Sequence, residues 1–294
     1  MKMAPYRYTA CGLEIQSEFA ISHLPVGEKS KPADVRISAM ETPSNFEADI
    51  STPQWRANSE KVELFGLSEE TCICTAGTHI TFSGTPPTLD ETSTLLGRAL
   101  AVISMQRGNP VLHAAVVEKG GKSFAVSGRS GAGKSTLLAE LILRDFRVVA
   151  DDIAVFNVVG NDFIVQPLYP TTRRRAKFEP PQGWRAIPGV AKHVSINVPF
   201  CPVACAIERL FVLAVSSSPN MPIRIYDISK HRRHEALGPQ LYRAGIARAV
   251  LGYNGLKQKT KSAAQVLPIS SVTRPPDCNP AALADAIIAH LAIM

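Results

Sequence analysis

Long apolar runs are missing from this chain: no stretch reaches the roughly 20 residues that a bilayer-spanning helix requires. The start, Met1-Lys2-Met3-Ala4-Pro5-Tyr6, also lacks a signal-peptide core, so a cytoplasmic protein with no membrane partner is expected. Cysteine is scarce, with 6 in 294 residues and no framework spacing, which excludes a disulfide scaffold and suits a reducing compartment. Cys72 and Cys74 fall on one face of an expected strand, and Cys201 and Cys205 flank Pro202 without a nearby histidine pair. Both pairs read as buried thiols rather than a zinc site. Acidic residues are outnumbered, 25 against 32 basic, for a net charge of +7. That balance favours acidic partners such as nucleotides or acidic peptides. No aromatic-interleaved basic strip, reading motif or second ATPase domain accompanies it, so nucleic acid is not an expected partner. Repeats and low-complexity tracts are absent too. With 45% hydrophobic residues, the chain can build one large domain or two modest ones.

What is present stands out against that background. Gly128-Arg129-Ser130-Gly131-Ala132-Gly133-Lys134-Ser135 fits the phosphate-cradling pattern G-x-x-x-x-G-K-[ST] in full. Ser123 to Ser127 reads as a short buried strand entering the loop. A helix leaves it, with Leu137, Leu138, Leu141 and Ile142 on one stripe beside Glu140 and Arg144. Unpaired N–H groups and the positive dipole end of that helix then meet an anion. Gly128, Ser130, Gly131, Ala132, Gly133, Lys134, Ser135 and Thr136 are the expected contacts to ATP. Lys134 reaches the outer phosphates, and Ser135 is the expected ligand of Mg2+.

Up to about position 87 the pattern alternates, in Tyr6 to Ile15, Asp34 to Ser38, Lys61 to Phe65, Thr71 to Thr75 and Thr78 to Ser83, which predicts a small β-rich module. Pro86-Pro87 marks its boundary, so residues 1–87 and 88–294 are the expected domains. Thr88 with Glu91 forms a capping box, and Leu95, Leu96, Ala99, Leu100 and Ile103 continue a helix to Gly108-Asn109-Pro110. Val111 to Val117 is a β-prone run, and Gly120-Gly121 separates it from the strand entering the loop, predicting a tight hairpin. Pairing Lys119 with Lys122 and counting back sets His113 opposite Gly128, so register alone carries an imidazole to the mouth of the phosphate loop.

Phe146 to Ala150 forms another buried strand, running into Asp151-Asp152. Adjacent carboxylates at the end of an apolar strand need compensation, and neighbours on a strand point to opposite faces. One aspartate is therefore expected to face the γ-phosphate and the incoming hydroxyl, and the other to fix metal, water or the loop. Arg173-Arg174-Arg175 follows Pro170 in an expected loop, where Arg173 or a neighbour stabilises transferred charge; a second basic cluster is Lys230 to His234. Farther on, Ala206-Ile207 with Leu210 to Val215 reads as a core strand, Ile223 to Tyr226 as another, Leu241 to Val250 as a helix carrying Arg243 and Arg248, and Asn279-Pro280 as the start of the closing helix.

Leu112-His113-Ala114-Ala115, Ser127 to Thr136 and Val149-Ala150-Asp151-Asp152, in this order and spacing, resemble the HPr kinase/phosphorylase family, and more closely the related lasso-peptide precursor kinases. The resemblance covers residues 110 to 156 well and the remainder loosely. It implies an α/β fold with the P-loop core shared by phosphoenolpyruvate carboxykinases and HPr kinases, a mixed β-sheet with helices, preceded here by the β-rich module. It further implies transfer of a phosphoryl group from ATP to a serine hydroxyl, with Asp151 as proton acceptor, Asp152 as its metal-side or hydrogen-bonding neighbour, and His113 supporting the reacting centre. Relatives of this family form oligomers. The glycine-rich segment that follows the Asp pair in HPr kinases, associated there with phosphorolysis, is not recognisable in Pro167 to Phe200, so the reverse reaction is not implied. In the lasso-peptide relatives the acceptor is the C-terminal serine of a precursor peptide.

The expectation is thus an ATP- and Mg2+-dependent serine kinase acting on a peptide or small protein. An HPr-type kinase, a small-molecule kinase on the same core and a nucleotide-gated regulatory module are the alternatives. Asp151→Asn separates the last of these, because a sensor keeps its response while a kinase loses turnover.

Overall fold

A computed structural model describes residues 5–40, 45–66, 71–83, 89–175, 185–187 and 193–292, with backbone alone at 89–94, 173–175, 185–187, 193–195 and 292. The alternating N-terminal segments form β1 (Tyr6–Ala10), β2 (Leu13–Ser17), β3 (Val35–Ala39), β4 (Ile50–Ser51), β5 (Trp55–Ala57), β6 (Lys61–Phe65), β7 (Thr71–Thr75) and β8 (His79–Phe82). They make one eight-stranded sheet in the order β1-β2-β3-β8-β7-β6-β5-β4. The Tyr6 to Ile15 run folds back on itself, because Cys11 and Gly12 take left-handed φ values of 56° and 72°. In β2, Leu13, Ile15 and Ser17 point inward while Glu14 and Gln16 are half-buried, the two-residue period of a sheet with one covered face.

The cover is α1 (Leu89–Gln106), whose Leu95, Leu96, Ala99, Leu100 and Ile103 are buried in one apolar cluster with Leu64, Cys72, Cys74 and Ile80 of the sheet. The expected capping residue Thr88 and the side chain of Glu91 lie outside the described residues.

The remaining chain runs through β9 (Val111–Leu112), β10 (Ala114–Lys119), β11 (Lys122–Gly128), α2 (Lys134–Ile142), β12 (Arg147–Ala150), β13 (Ala154–Val159) and β14 (Asp162–Val165). It continues with β15 (Thr171–Arg175), β16 (Arg185–Ile187), β17 (His193–Asn197), β18 (Cys205–Ala206), β19 (Arg209–Val215), β20 (Arg224–Asp227) and α3 (Arg233–Leu237), and ends with α4 (Ala244–Val266), β21 (Ile269–Arg274) and α5 (Pro280–Ala292). The central sheet is mixed, ordered β12-β10-β11-β19-β21-β20, with β11, β19 and β21 parallel. At β11 both faces are covered, and every residue from Ser123 to Gly128 is buried. Phe124 and Val126 pack with Leu137, Leu138, Leu141, Leu283 and Ile287 of α2 and α5, whereas Ala125 faces the cluster shared with α1 and the N-terminal sheet. The Gly120-Gly121 hairpin forms with Lys119 opposite Lys122, as its two glycines require, at φ 61° and 84°.

Four segments differ from the sequence-based expectation. The Val111 to Val117 run breaks at His113, because β9 pairs with β13 while β10 pairs with β11 and β12. Thr171 to Arg175 is a strand rather than a loop, since it finds a partner in β17 far along the chain. Ala206 and Leu210 belong to different strands, β18 and β19, in different sheets. The helix expected from Leu241 starts at Ala244, because Leu241 bridges Leu112 and the Tyr242 amide bonds the Val111 carbonyl. It runs on to Val266 through a kink at Gly252, whose φ of 70° and ψ of 159° are not helical. No described helix is long and apolar enough to cross a membrane.

Candidate active site

β11 delivers the chain to the phosphate loop, and the loop's shape depends on its glycines. At Gly128, φ is 146° and an added Cβ would lie 2.6 Å from the Leu213 carbonyl oxygen of the neighbouring parallel strand, so only glycine lets the loop leave the sheet there. Gly131 and Gly133 are left-handed at 84° and 100°. Gly133 caps α2 without any side-chain hydrogen bond, and the first turn holds no acidic residue. The helix therefore offers its first N–H groups and its positive end to an anion rather than to a side chain of its own.

Lys134 Nζ donates to the Gly128 carbonyl at 2.7 Å, arching back over the loop. Burial lowers its proton affinity, and the charges of Asp152 and Asp151 act in the opposite sense, which places the ammonium between the cradle and the acidic pair. Ser130, Ser135 and Thr136 are exposed on the loop and first helical turn. Arg274, at the end of β21, braces the loop from outside: Nε donates to the Ala132 carbonyl at 3.0 Å, and Nη1 to the carbonyls of Pro275 and Pro276, each at 2.9 Å.

His113 comes to the same place because its strand is broken. Its amide donates to the Gln240 carbonyl at 2.8 Å, and its own carbonyl accepts from the Ser127 hydroxyl at 2.8 Å, tying it to the end of β11. Ala114 pairs with Ser127, so His113 stands at the height of Gly128, as the hairpin register predicts. The ring Nδ1 is 3.0 Å from Asp152 Oδ1.

The two aspartates do separate, but not by strand alternation. The strand ends at Ala150, and Asp152 turns into a left-handed φ of 69°, an uncommon conformation that Asp tolerates better than most residues. Asp151 accepts a hydrogen bond from the Thr172 hydroxyl of β15, while Asp152 meets His113. A cavity of about 420 Å³ opens here, lined among others by His113, Gly128, Arg129, Asp152, Tyr242 and Arg243.

His113, Gly128, Lys134 and both aspartates are therefore brought together. Arg173 lies in β15 next to Thr172, and its side chain lies outside what the structure describes. Gln240, Tyr242 and Arg243 were not legible as site residues: they enter because β9 captures Leu241 and Tyr242. The Gly238-Pro239 dipeptide was the available signal against a helix there. Arg243 has φ 42° and donates from Nη1 to Gln54 Oε1, in the turn between β4 and β5, at 3.2 Å. Thr172 and Arg274 were missed for the same reason, because each acts on a residue distant in sequence.

The residues fit a nucleotide-bound magnesium. Among the described residues, no group of three or more His, Cys, Asp or Glu could hold a metal by itself. A hydroxyl at Ser135 and one carboxylate are the sparse, hard-oxygen set by which proteins hold Mg2+ together with phosphates. Cys201 and Cys205 are buried thiols 3.7 Å apart.

No protein-family profile matches the chain, and no curated protein does. Among solved structures, it is similar to the Hpr(Ser) kinase/phosphatase from Coxiella burnetii, with 15% identity and a TM-score of 0.34 over 63% of this chain and 97% of that one. At that TM-score the likeness bears no weight, and the functional reading rests on the site's own geometry.

Proposed function

We propose that this chain is an ATP-dependent kinase that passes the γ-phosphoryl group to a serine hydroxyl of a peptide or small protein. The observation that carries the reading is the meeting, at one cavity, of the His113–Asp152 pair with Gly128 and Arg129 of the phosphate loop, whose Gly128 carbonyl holds Lys134 and whose following helix has no side-chain cap. The loop amides and Lys134 bind and orient the triphosphate. Ser135 and an aspartate would hold Mg2+, which supplies charge neutralisation on the phosphates when bound.

Asp152, on the cavity wall, takes the proton from the acceptor hydroxyl. His113 donates from Nδ1 to that carboxylate and fixes its direction. Asp151, held by Thr172, keeps the turn in shape, and its charge acts on Lys134. This allocation exchanges the two roles that the family resemblance implies, because it is Asp152 that faces the cavity. The acceptor that suits the guanidinium of Arg243 is a serine near a free carboxylate, such as the C-terminal serine of a lasso-peptide precursor. The N-terminal sheet, which touches Arg243 through Gln54, is the module placed to present it.

Asp152→Asn is expected to cut phosphoryl transfer about a hundredfold or more while affinity for a fluorescent ATP analogue stays within about threefold. Asp151→Asn is expected to lose less. Equal turnover in Asp152→Asn and the native protein, measured by mass spectrometry of serine peptides, refutes the assignment.

A further inference from the structure

Helix α4 carries Arg248, Lys257, Lys259 and Lys261, and not one Asp or Glu in its 23 residues. All four basic side chains are exposed, and none makes an ion pair or a side-chain hydrogen bond among the described residues. Other elements pair theirs: Arg144 with Glu140 and Asp285, Arg147 with Glu118, Arg107 with Asp34, and Arg56 with Glu63.

The arrangement costs the helix stability. Tyr253, Lys257 and Lys261 follow one another at four-residue intervals along one exposed row, with the Lys257 ammonium 5.7 Å from the centre of the Tyr253 ring. Like charges at i and i+4 repel, whereas a glutamate at one of the two positions would attract. No basic residue lies in the last turn, so the helix dipole does not account for them. Lys259 has a local role, since its Nζ lies 3.4 Å from where a Cβ on Gly108 would stand, at the carboxyl end of α1. Arg248, Lys257 and Lys261 have none. The segment Lys230 to Leu237, whose α3 packs on α4, adds three more basic side chains against one carboxylate, Glu235.

This face begins at the active site. Arg243, in the wall of the phosphate-loop cavity, is the residue before α4. From the rise of a helix, Arg248 lies within about 10 Å of Arg243, Lys257 within about 25 Å and Lys261 within about 30 Å. Asp152 lines the same cavity as Arg243, so an extended polypeptide with its hydroxyl there reaches all three within about nine residues.

Charge complementarity makes the partner acidic. Alternate residues of an extended peptide recur at about 6.8 Å, close to the roughly 6 Å repeat of an i, i+4 row, so acids at every second position meet successive lysines. Nucleic acid carries similar charge, but Tyr253 is the helix's one aromatic and Lys257 occupies its face, which leaves no ring for a base to stack on. A membrane surface requires an apolar flank, whereas Asn254, Gln258, Ser262 and Gln265 stand exposed beside the row.

We propose that α4 is a docking face for an acidic stretch of the acceptor polypeptide, lying up to about nine residues from the phosphorylated serine. That the stretch belongs to the acceptor rests on the transfer reading above; the helix's preference for acidic polypeptide does not.

Binding is read on the full chain without nucleotide, by fluorescence anisotropy of a labelled serine peptide with glutamate at alternate positions and of its glutamine twin. At low salt the glutamate peptide is expected to bind about tenfold more tightly, an advantage that shrinks as salt is raised. Lys257→Gln with Lys261→Gln is expected to remove most of that advantage. Lys29→Gln with Lys122→Gln takes the same charge from exposed positions elsewhere and is expected to keep it. With ATP present, the glutamate peptide is expected to show KM lowered about tenfold at unchanged kcat, a difference that the Lys257/Lys261 variant loses. Equal affinity for the two peptides, equal losses in the two double variants, or transfer with a KM indifferent to glutamate overturns the docking face. A single-stranded oligodeoxynucleotide of the same charge that binds more tightly than the peptide, through Lys257 and Lys261, overturns it in favour of nucleic acid. An acidic advantage in binding with no transfer to either serine peptide overturns the kinase reading and the acceptor assignment, and leaves the acidic docking face standing.

Discussion

Single residues set the shape of the phosphate loop, and two glycines show how differently they do it. At Gly128 a methyl group meets backbone, 2.6 Å from the Leu213 carbonyl, whereas at Gly131 it meets nothing within 4 Å and only the left-handed φ of 84° opposes it. Gly128→Ala is therefore expected to cost about 3 kcal/mol and Gly131→Ala about 1 kcal/mol, read from urea midpoints at constant slope. Arg274 acts on the same loop through the Ala132 carbonyl, with Nη2 3.1 Å from where a Cβ on Gly133 would lie. Arg274→Met is expected to weaken ATP-analogue binding about tenfold, and Arg274→Lys to restore part of it, in a fluorescence titration. The glycines and Lys134 were readable because the motif is local. Arg274 was not, since its partner lies 142 positions away.

Among the elements, the β10–β11 hairpin sets Gly128 and the adjoining His113 at the cavity, and Glu118 locks it. Its carboxylate accepts from the Gly121 amide at 2.8 Å and from Arg147 Nε and Nη2 at 2.9 and 2.6 Å, so one side chain closes the turn and joins β12 to β10. The Gly121 amide first, then Arg147, hold Glu118 below the usual carboxylate range against the opposing effect of burial. The folded protein thus binds this proton less readily than the unfolded chain. The stability Glu118 contributes is fully present above its unfolded value of about 4.3 and drains away as pH falls through the lower, folded value. Glu118→Gln is expected to be less stable at neutral pH and to show a shallower loss of stability between about pH 5 and pH 3. Urea denaturation at stepped pH checks it. The hairpin's existence and register were legible from Gly120-Gly121 and the flanking β-prone runs. The break at His113 was not, because the chain changes sheet there to pair with β13, a partner with no local signature.

Across the whole molecule, one apolar cluster runs from Ile15 and Ile37 of the N-terminal sheet through Leu96 and Leu100 of α1 to Ala125, Leu210 and Ile269 of the central sheet. Arg98 adds polar ties, donating to the Phe65 carbonyl at 2.9 Å and the Gln54 carbonyl at 3.2 Å. Removing the first sheet would strip α1 of its cover. Unfolding is therefore expected as one cooperative transition, with calorimetric and van't Hoff enthalpies in agreement and near- and far-ultraviolet dichroism coincident. Two resolved transitions would contradict the continuity of the cluster. The boundary expected at Pro86-Pro87, which lies outside the described residues, reflects the change from alternating to helical pattern, but a pattern cannot show that both sides share one core, since apolar residues reveal which face is buried and not what covers it.

By itself, the amino-acid sequence determined the phosphate loop, the hairpin that feeds it, most strands of the N-terminal sheet and the amphipathic helices, because glycine geometry, turn chemistry and apolar period act over a few neighbouring residues. Only the tertiary structure decided which aspartate faces the cavity, that β15 is a strand, and that Arg243 and Tyr242 join the site. Each of these depends on pairing between segments far apart in the chain, where the free energy comes from hydrogen bonds and burial that no local stretch contains.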